Sequence, residues 1–138
     1  MKAEDDGEPR RPRVFVLDFD GDMQASQVDQ LREEVSAILP VVGEADKVLL
    51  RLESGGGVVH GYGLAASQLM RLKDAGITLT ISVDKVAASG GYMMACVGDE
   101  IIAAPFAILG SIGVVAQLPN FHRLLKKNDI DFEMHTAG

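Results

Sequence analysis

Two hydrophobic rhythms alternate along this chain. A mostly apolar run over Arg13 to Phe19 reads as a strand, and the turn at Gly21 leads to a helix from about Ser26. Ser26 is placed to cap it, with Asp29 three residues on completing a capping-box-like start. Val28, Leu31, Val35 and Ile38 then recur at steps of three and four, which is one apolar helical face. "KVLLRLE", Lys47 to Glu53, predicts a second strand that runs into the glycine loop "SGGG". A helix from about His60 to Asp74 follows, with Leu64, Leu69 and Leu72 inward and Gly76 as its stop. A third strand, Ile77 to Asp84, leads into "KVAASGGYMMAC", whose second half reads as helical, and "EIIAA" is a fourth. A helix started by Pro119 reaches "RLLKKND", and a last strand lies near "DFEMHT". Repeated strand, Gly loop and helix units predict an α/β domain with a mostly parallel sheet. In such sheets the loops after the strand carboxyl ends form the ligand crevice, so three loops compete for the site.

Composition narrows the function classes. With 138 residues, 47% of them hydrophobic, the chain suits one domain with a real core. A net charge of −7 leaves no broad basic surface, which argues against nucleic acid as a partner. The single cysteine, Cys96, has no second thiol to pair with and no His cluster around it. Within "YMMACV" it reads as a buried small hydrophobe. Residues 1–12, with mixed charge and two prolines, read as a disordered lead-in, and residues 13–138 as the domain. The segment Ile101 to His122 has no charged residue and is long enough to span a bilayer. Pro105, Gly110, Ser111, Gly113 and Pro119 break it up, which suits a buried core or an apolar groove better. The ending "HTAG" reads as a cut within a longer protein.

The first candidate loop is Asp18-Phe19-Asp20-Gly21, which resembles the opening of haloacid-dehalogenase-like phosphatases. Such a site also wants a hydroxyl residue after the glycine, a later lysine and further carboxylates for a metal. Here the next residue is Asp22, and "IIAAP" after "GDE" supplies no carboxylate, so a strand-to-turn signal is preferred and the phosphatase is a minor alternative. The second candidate, Ser54 to Gly57, brings backbone close to a ligand but lacks the Lys-Ser/Thr ending of a nucleotide loop. The third, "VDKVAASGGYMMAC", sets Ser89 on a strand-to-helix turn among alanines and glycines. Small neighbours leave its hydroxyl open, and helix N-terminal amides can face a developing oxyanion. This is the logic of a nucleophile elbow, although Ala87 stands where that motif has glycine. The plain alternative is that Ser89 only caps the helix.

The stretch "VDKVAASGGYMMACVGDEIIAAPFAILGSIGVV", together with "LRLESGGGVVHGYGLAASQLMRLKDAG", resembles the signal peptide peptidase A family of serine proteases, and within it the SohB branch. The resemblance covers Arg13 to Gly138. It implies a crotonase-like, caseinolytic-protease-like fold of stacked ββα units and a serine-lysine dyad that needs no cofactor and no metal. Ser89 matches the nucleophile, the N–H groups of Gly56 and Gly90 match the oxyanion hole, and Ser111 matches a hydroxyl near the lysine. It further implies apolar, unstructured peptide substrates and a homo-oligomer. Membrane association would run through a segment outside this chain, on the periplasmic side of the inner membrane.

Two departures from the pattern stand out. Gly55 occupies the place of the family's proline, which loosens the loop. The family's general-base lysine falls after the segment matching "HTAG", so the base is not in this chain and these residues alone are expected to be inactive. Lys85 is only four residues before Ser89, Lys126 and Lys127 read as a solvated helix face, and His60, His122 and His135 read as surface or packing histidines. Two further alternatives are a non-catalytic peptide-binding or assembly module and an acyl-CoA hydratase or isomerase, the latter sharing the implied fold.

Overall fold

The computed structural model describes residues 10–111, residue 113 and residues 121–131. Strand β1 (Val14–Gly21) pairs in parallel with β2 (Lys47–Ser54), from Val14 opposite Lys47 to Gly21 opposite Ser54. On its other edge β2 pairs first with β3 (Thr78–Val83) and then, at Ser54 opposite Ala87, with β4 (Val86–Ala88). Strand β5 (Glu100–Ala103) continues the sheet beyond β3, and β6 (Ile108–Gly110) continues it beyond β4. One strand thus serves two successive partners on one edge, and the all-parallel sheet curls at that point. Helices connect the strands, an arrangement consistent with a crotonase-like or caseinolytic-protease-like fold.

The core lies on one face of this sheet. Alternation points Leu17 and Phe19, Val48, Leu50 and Leu52, and Leu79, Ile81 and Val83 to the same side, where all are buried. Helix α1 (Val28–Ile38) meets them with Leu31, Val35 and Ile38, as its spacing predicts. Helix α2 (Val59–Asp74) contributes Tyr62, Ala65, Leu69 and Leu72, and the short α3 (Gly90–Ala95) adds Met94 and Ala95. A last helix, α4 (His122–Lys127), carries Lys126 and Lys127 in an exposed final turn.

Several local expectations are corrected. Ser26 does not cap α1: its N–H and hydroxyl both bond the Asp22 carboxylate, at 2.8 and 2.6 Å, and the helix starts after Gln27. Asp22 wins because it already sits in the turn facing those donors. Leu64 is exposed, since the inward stripe of α2 runs through Tyr62, Ala65, Leu69 and Leu72, and Leu64 falls beside it. Cys96, at the end of α3, is exposed rather than buried. The short strands β4 and β6 were not anticipated, because three-residue strands leave no period to read. No helix among the described residues is long and apolar enough to cross a membrane. The expected strand near "DFEMHT", together with Pro119 and His135, lies outside the described residues.

Candidate active site

Ser89 sits at the junction of β4 and α3 with φ 51° and ψ −119°, a backbone region that serine rarely occupies. Holding a non-glycine residue there costs on the order of 1–3 kcal/mol, so its surroundings must enforce it. Four contacts do so. The Ser89 N–H donates to the Gly110 carbonyl of β6 at 2.8 Å, and the Met93 N–H donates back to the Ser89 carbonyl at 3.0 Å. Upstream, the Ala87 pairing fixes β4 on β2. The loop before β4 is gathered by one carboxylate, because Glu53 accepts the N–H groups of Asp84 at 2.5 Å, Lys85 at 3.0 Å and Val86 at 2.9 Å. Burial pushes the Glu53 carboxyl up, and these three amides together outweigh it, holding it below its ordinary value. The sequence marked Glu53 only as a strand end; nothing in its neighbourhood signalled this role.

The glycine loop lies directly against this turn. Gly56 has φ +88°, and a Cβ there would meet the Ser89 Cβ at 2.7 Å and the Gly90 nitrogen at 2.8 Å. Only glycine satisfies both the backbone sign and the space at that position. The structure therefore brings Gly56 against Ser89 and Gly90, more than thirty residues further along the chain. It also redistributes the amides. The Gly56 N–H donates to Ser54 Oγ at 2.9 Å and is engaged inside the loop. Among the described residues the N–H groups of Gly57 and Gly90 have no hydrogen-bond partner. Gly57 is pressed onto the Met23 carbonyl, where a Cβ would come within 2.1 Å of the oxygen. In a run of three glycines, sequence alone gives no means of choosing which amide is free.

The remaining candidates fall around this pair of loops. Ser111, also at positive φ (57°), follows the Gly110 whose carbonyl holds Ser89. Lys85 is exposed and tied to the site through its backbone, while His60 on α2 and His122 on α4 are both exposed. Among the described residues the Ser89 hydroxyl makes no hydrogen bond. Asp18 does not await a metal: Arg51, its register partner on β2, grips it at 2.5 and 2.7 Å on the open face of the sheet. That hydrogen-bonded guanidinium holds the Asp18 carboxyl below its usual value. A cavity of about 450 Å³ on that side is lined by Asp18, Asp20, Arg51, Glu53, Asp84 and Lys85 among others, and Ser89 does not line it. The serine site is defined by backbone geometry rather than by this hollow.

Fold and site together define an α/β protein in which a serine is set on an elbow-type turn beside a glycine loop. The comparisons agree: residues 1–69 match the peptidase family S49 N-terminal model and residues 71–138 match the peptidase family S49 model, so the chain belongs to peptidase family S49. It is 67% identical over 127 residues to the "Probable protease SohB" of Buchnera aphidicola subsp. Schlechtendalia chinensis, covering 92% of this chain and 42% of that protein. The "Probable protease SohB" of Haemophilus influenzae is 64% identical over 137 residues, covering 99% of this chain and 39% of that protein. The "Protease 4" of the same organism is 35% identical over 121 residues. The chain thus spans about two fifths of the length of its SohB relatives.

Proposed function

We propose that this chain carries the nucleophile and oxyanion hole of a serine endopeptidase that cleaves short, apolar, unstructured peptides. The reading rests on one observation, the forced φ 51°, ψ −119° conformation of Ser89 beside Gly56. The Ser89 oxygen attacks the peptide carbonyl carbon, and its proton passes to a lysine amine of the whole protein beyond Gly138. The N–H groups of Gly90 and Gly57 receive the oxyanion. The lysine then returns the proton to the leaving amine as the C–N bond breaks, and water hydrolyses the resulting ester. Gly57 replaces Gly56 in this scheme because Ser54 already holds the Gly56 N–H. On the family resemblance, Ser111, next to Gly110, takes the role of orienting that lysine. Support for apolar substrates comes from the residues flanking the site: Phe106, Ile108 and Leu109, which lead to Gly110, are all exposed. Homo-oligomerisation and a position on the periplasmic side of the inner membrane are proposed on the family resemblance.

The test follows hydrolysis of an apolar fluorogenic peptide by this chain and by one extended beyond Gly138, each with and without Ser89→Ala. Turnover in the extended chain, lost by at least about 10³-fold in Ser89→Ala, is the expected result. Activity in the short chain would move the base to Lys85 or a neighbouring histidine, and silence in all four would favour a peptide-binding module.

A further inference from the structure

The glycine loop is held from beneath by a chain of polar groups centred on the buried Ser54 and Tyr62. Tyr62 Oη lies 2.6 Å from the Asp22 carbonyl oxygen and 2.6 Å from Ser54 Oγ, and Ser54 Oγ lies 2.9 Å from the Gly56 nitrogen. Directions follow from chemistry. A carbonyl only accepts, so the single phenolic proton of Tyr62 goes to Asp22. The Ser54 hydroxyl must then donate to Tyr62, and it accepts the Gly56 N–H. Burial pushes the Tyr62 phenol above its ordinary pKa, against the opposing Ser54 hydrogen bond, so it keeps the proton it donates at neutral pH. Every member is satisfied, which favours one geometry over alternatives.

Space has been cleared around this pair by three glycines on two elements, β1 and α3. A Cβ on Gly21 of β1 would come within 2.4 Å of Tyr62 Oη. On Gly90 it would come within 2.5 Å of the Tyr62 ring, and on Gly91 within 2.6 Å of the Ser54 carbonyl oxygen. The far end of the loop is anchored to the same turn, since the Val58 N–H donates to the Met23 carbonyl at 2.9 Å. Both ends of residues 54–58 are thereby referred to Asp22 and Met23, and the first turn of α3 rests on the Tyr62 ring.

We propose that Tyr62 and Ser54 are positioning residues for the oxyanion loop: the directional relay Gly56 N–H to Ser54 to Tyr62 to the Asp22 carbonyl fixes Gly56 against Ser89 and leaves the Gly57 amide unengaged. The inference rests on the serine-peptidase reading above. Neither side chain touches substrate. Their effect falls on an interaction strongest in the transition state, so it appears in kcat rather than in KM.

Tyr62→Phe removes one oxygen and keeps the ring, which packs edge-on to Phe19 at 6.2 Å between centroids. In the full-length protein we expect kcat to fall about 10-fold with KM unchanged, short of the roughly 10²-fold loss on removing an oxyanion donor outright. Ser54→Ala should lower kcat further. The double variant should be no worse than Ser54→Ala, because both cut one chain. Hydrogen exchange at the Gly56 amide gives a readout independent of turnover, and we expect it to accelerate in both single variants. Wild-type kcat and unchanged Gly56 exchange in Tyr62→Phe would overturn the relay. Turnover insensitive to Ser89→Ala would overturn the peptidase reading instead, and Gly56 exchange would still decide whether the relay exists.

Discussion

Residues 13–98 and the described residues of 100–131 are built from similarly apolar sequence and treat it in opposite ways. In the first region Leu50, Leu52, Leu69 and Ile81 have no exposed surface, whereas in the second Phe106 is 96% exposed and Ile108 65%. The difference lies in partners rather than in hydrophobicity. Strands β1 to β3 have α1 and α2 laid across one face, while among the described residues no helix covers β5 and β6. Ser89 stands on the boundary, its backbone N–H bonded to the end of β6 and its following helix packed into the core. The nucleophile turn proposed above needs such a place: a rigid support behind it and accessible apolar surface in front.

Truncating one large side chain in each region should separate the two most. Leu52→Ala should cost about 2–5 kcal/mol in urea unfolding, because a cavity opens in a closed core. Phe106→Ala should change stability by less than about 0.5 kcal/mol. On the proposed peptidase reading the order reverses for substrate binding in the full-length protein, with Phe106→Ala raising KM for apolar peptides. Equal destabilisation by the two variants would show that β5 and β6 share the core after all.

Acid should act first on the packed region. The Asp46 carboxyl, almost fully buried at the start of β2, accepts the N–H groups of Gly43 and Arg13, each at 2.8 Å, and the Arg13 and Arg10 guanidinium groups. The amides, Gly43 first, and then the guanidinium groups hold it far below its usual value. A carboxylate whose folded pKa is depressed contributes its full stability above its unfolded pKa of about 3.9, and loses it as pH falls through the folded value. The unfolding midpoint should therefore drop below about pH 4, and Asp46→Asn should start lower at pH 7 and lose less on acidification. An unchanged acid slope in Asp46→Asn would assign the acid sensitivity to other carboxylates.

The smallest expected effect sharpens the account of the boundary itself. If Ser89 is held in an unfavourable conformation, Ser89→Gly should be more stable than Ser89→Ala by roughly 0.5–1 kcal/mol, with both inactive. Equal stability would mean that the turn stores no strain.

Much of the fold was legible because its signals are local. The steps of three and four through Leu31, Val35 and Ile38, and the apolar strands ending at Gly21 and Ser54, each carry their period within one element. The misses share a cause. Ser26 was read as a cap because the sequence does not show that Asp22 folds back onto it, and Leu64 was read as core because the phase of α2 is set by what it packs against. Cys96 looked buried by company, yet it ends a six-residue helix on its outer side.

At the site, the sequence by itself determined which residue types were available: a serine among small neighbours after a strand, a second glycine loop after the adjacent strand, and a family pattern joining them. Tertiary structure decided the rest. Only the pairing of Ser54 with Ala87 brings the two loops together, and only the bonds from Gly56 to Ser54 and from Tyr62 to Asp22 decide that the Gly56 amide is engaged within its own loop. The physical reason is that a hydrogen bond commits one donor in one direction, and its partner can lie forty residues away. Composition and period carry no record of that choice.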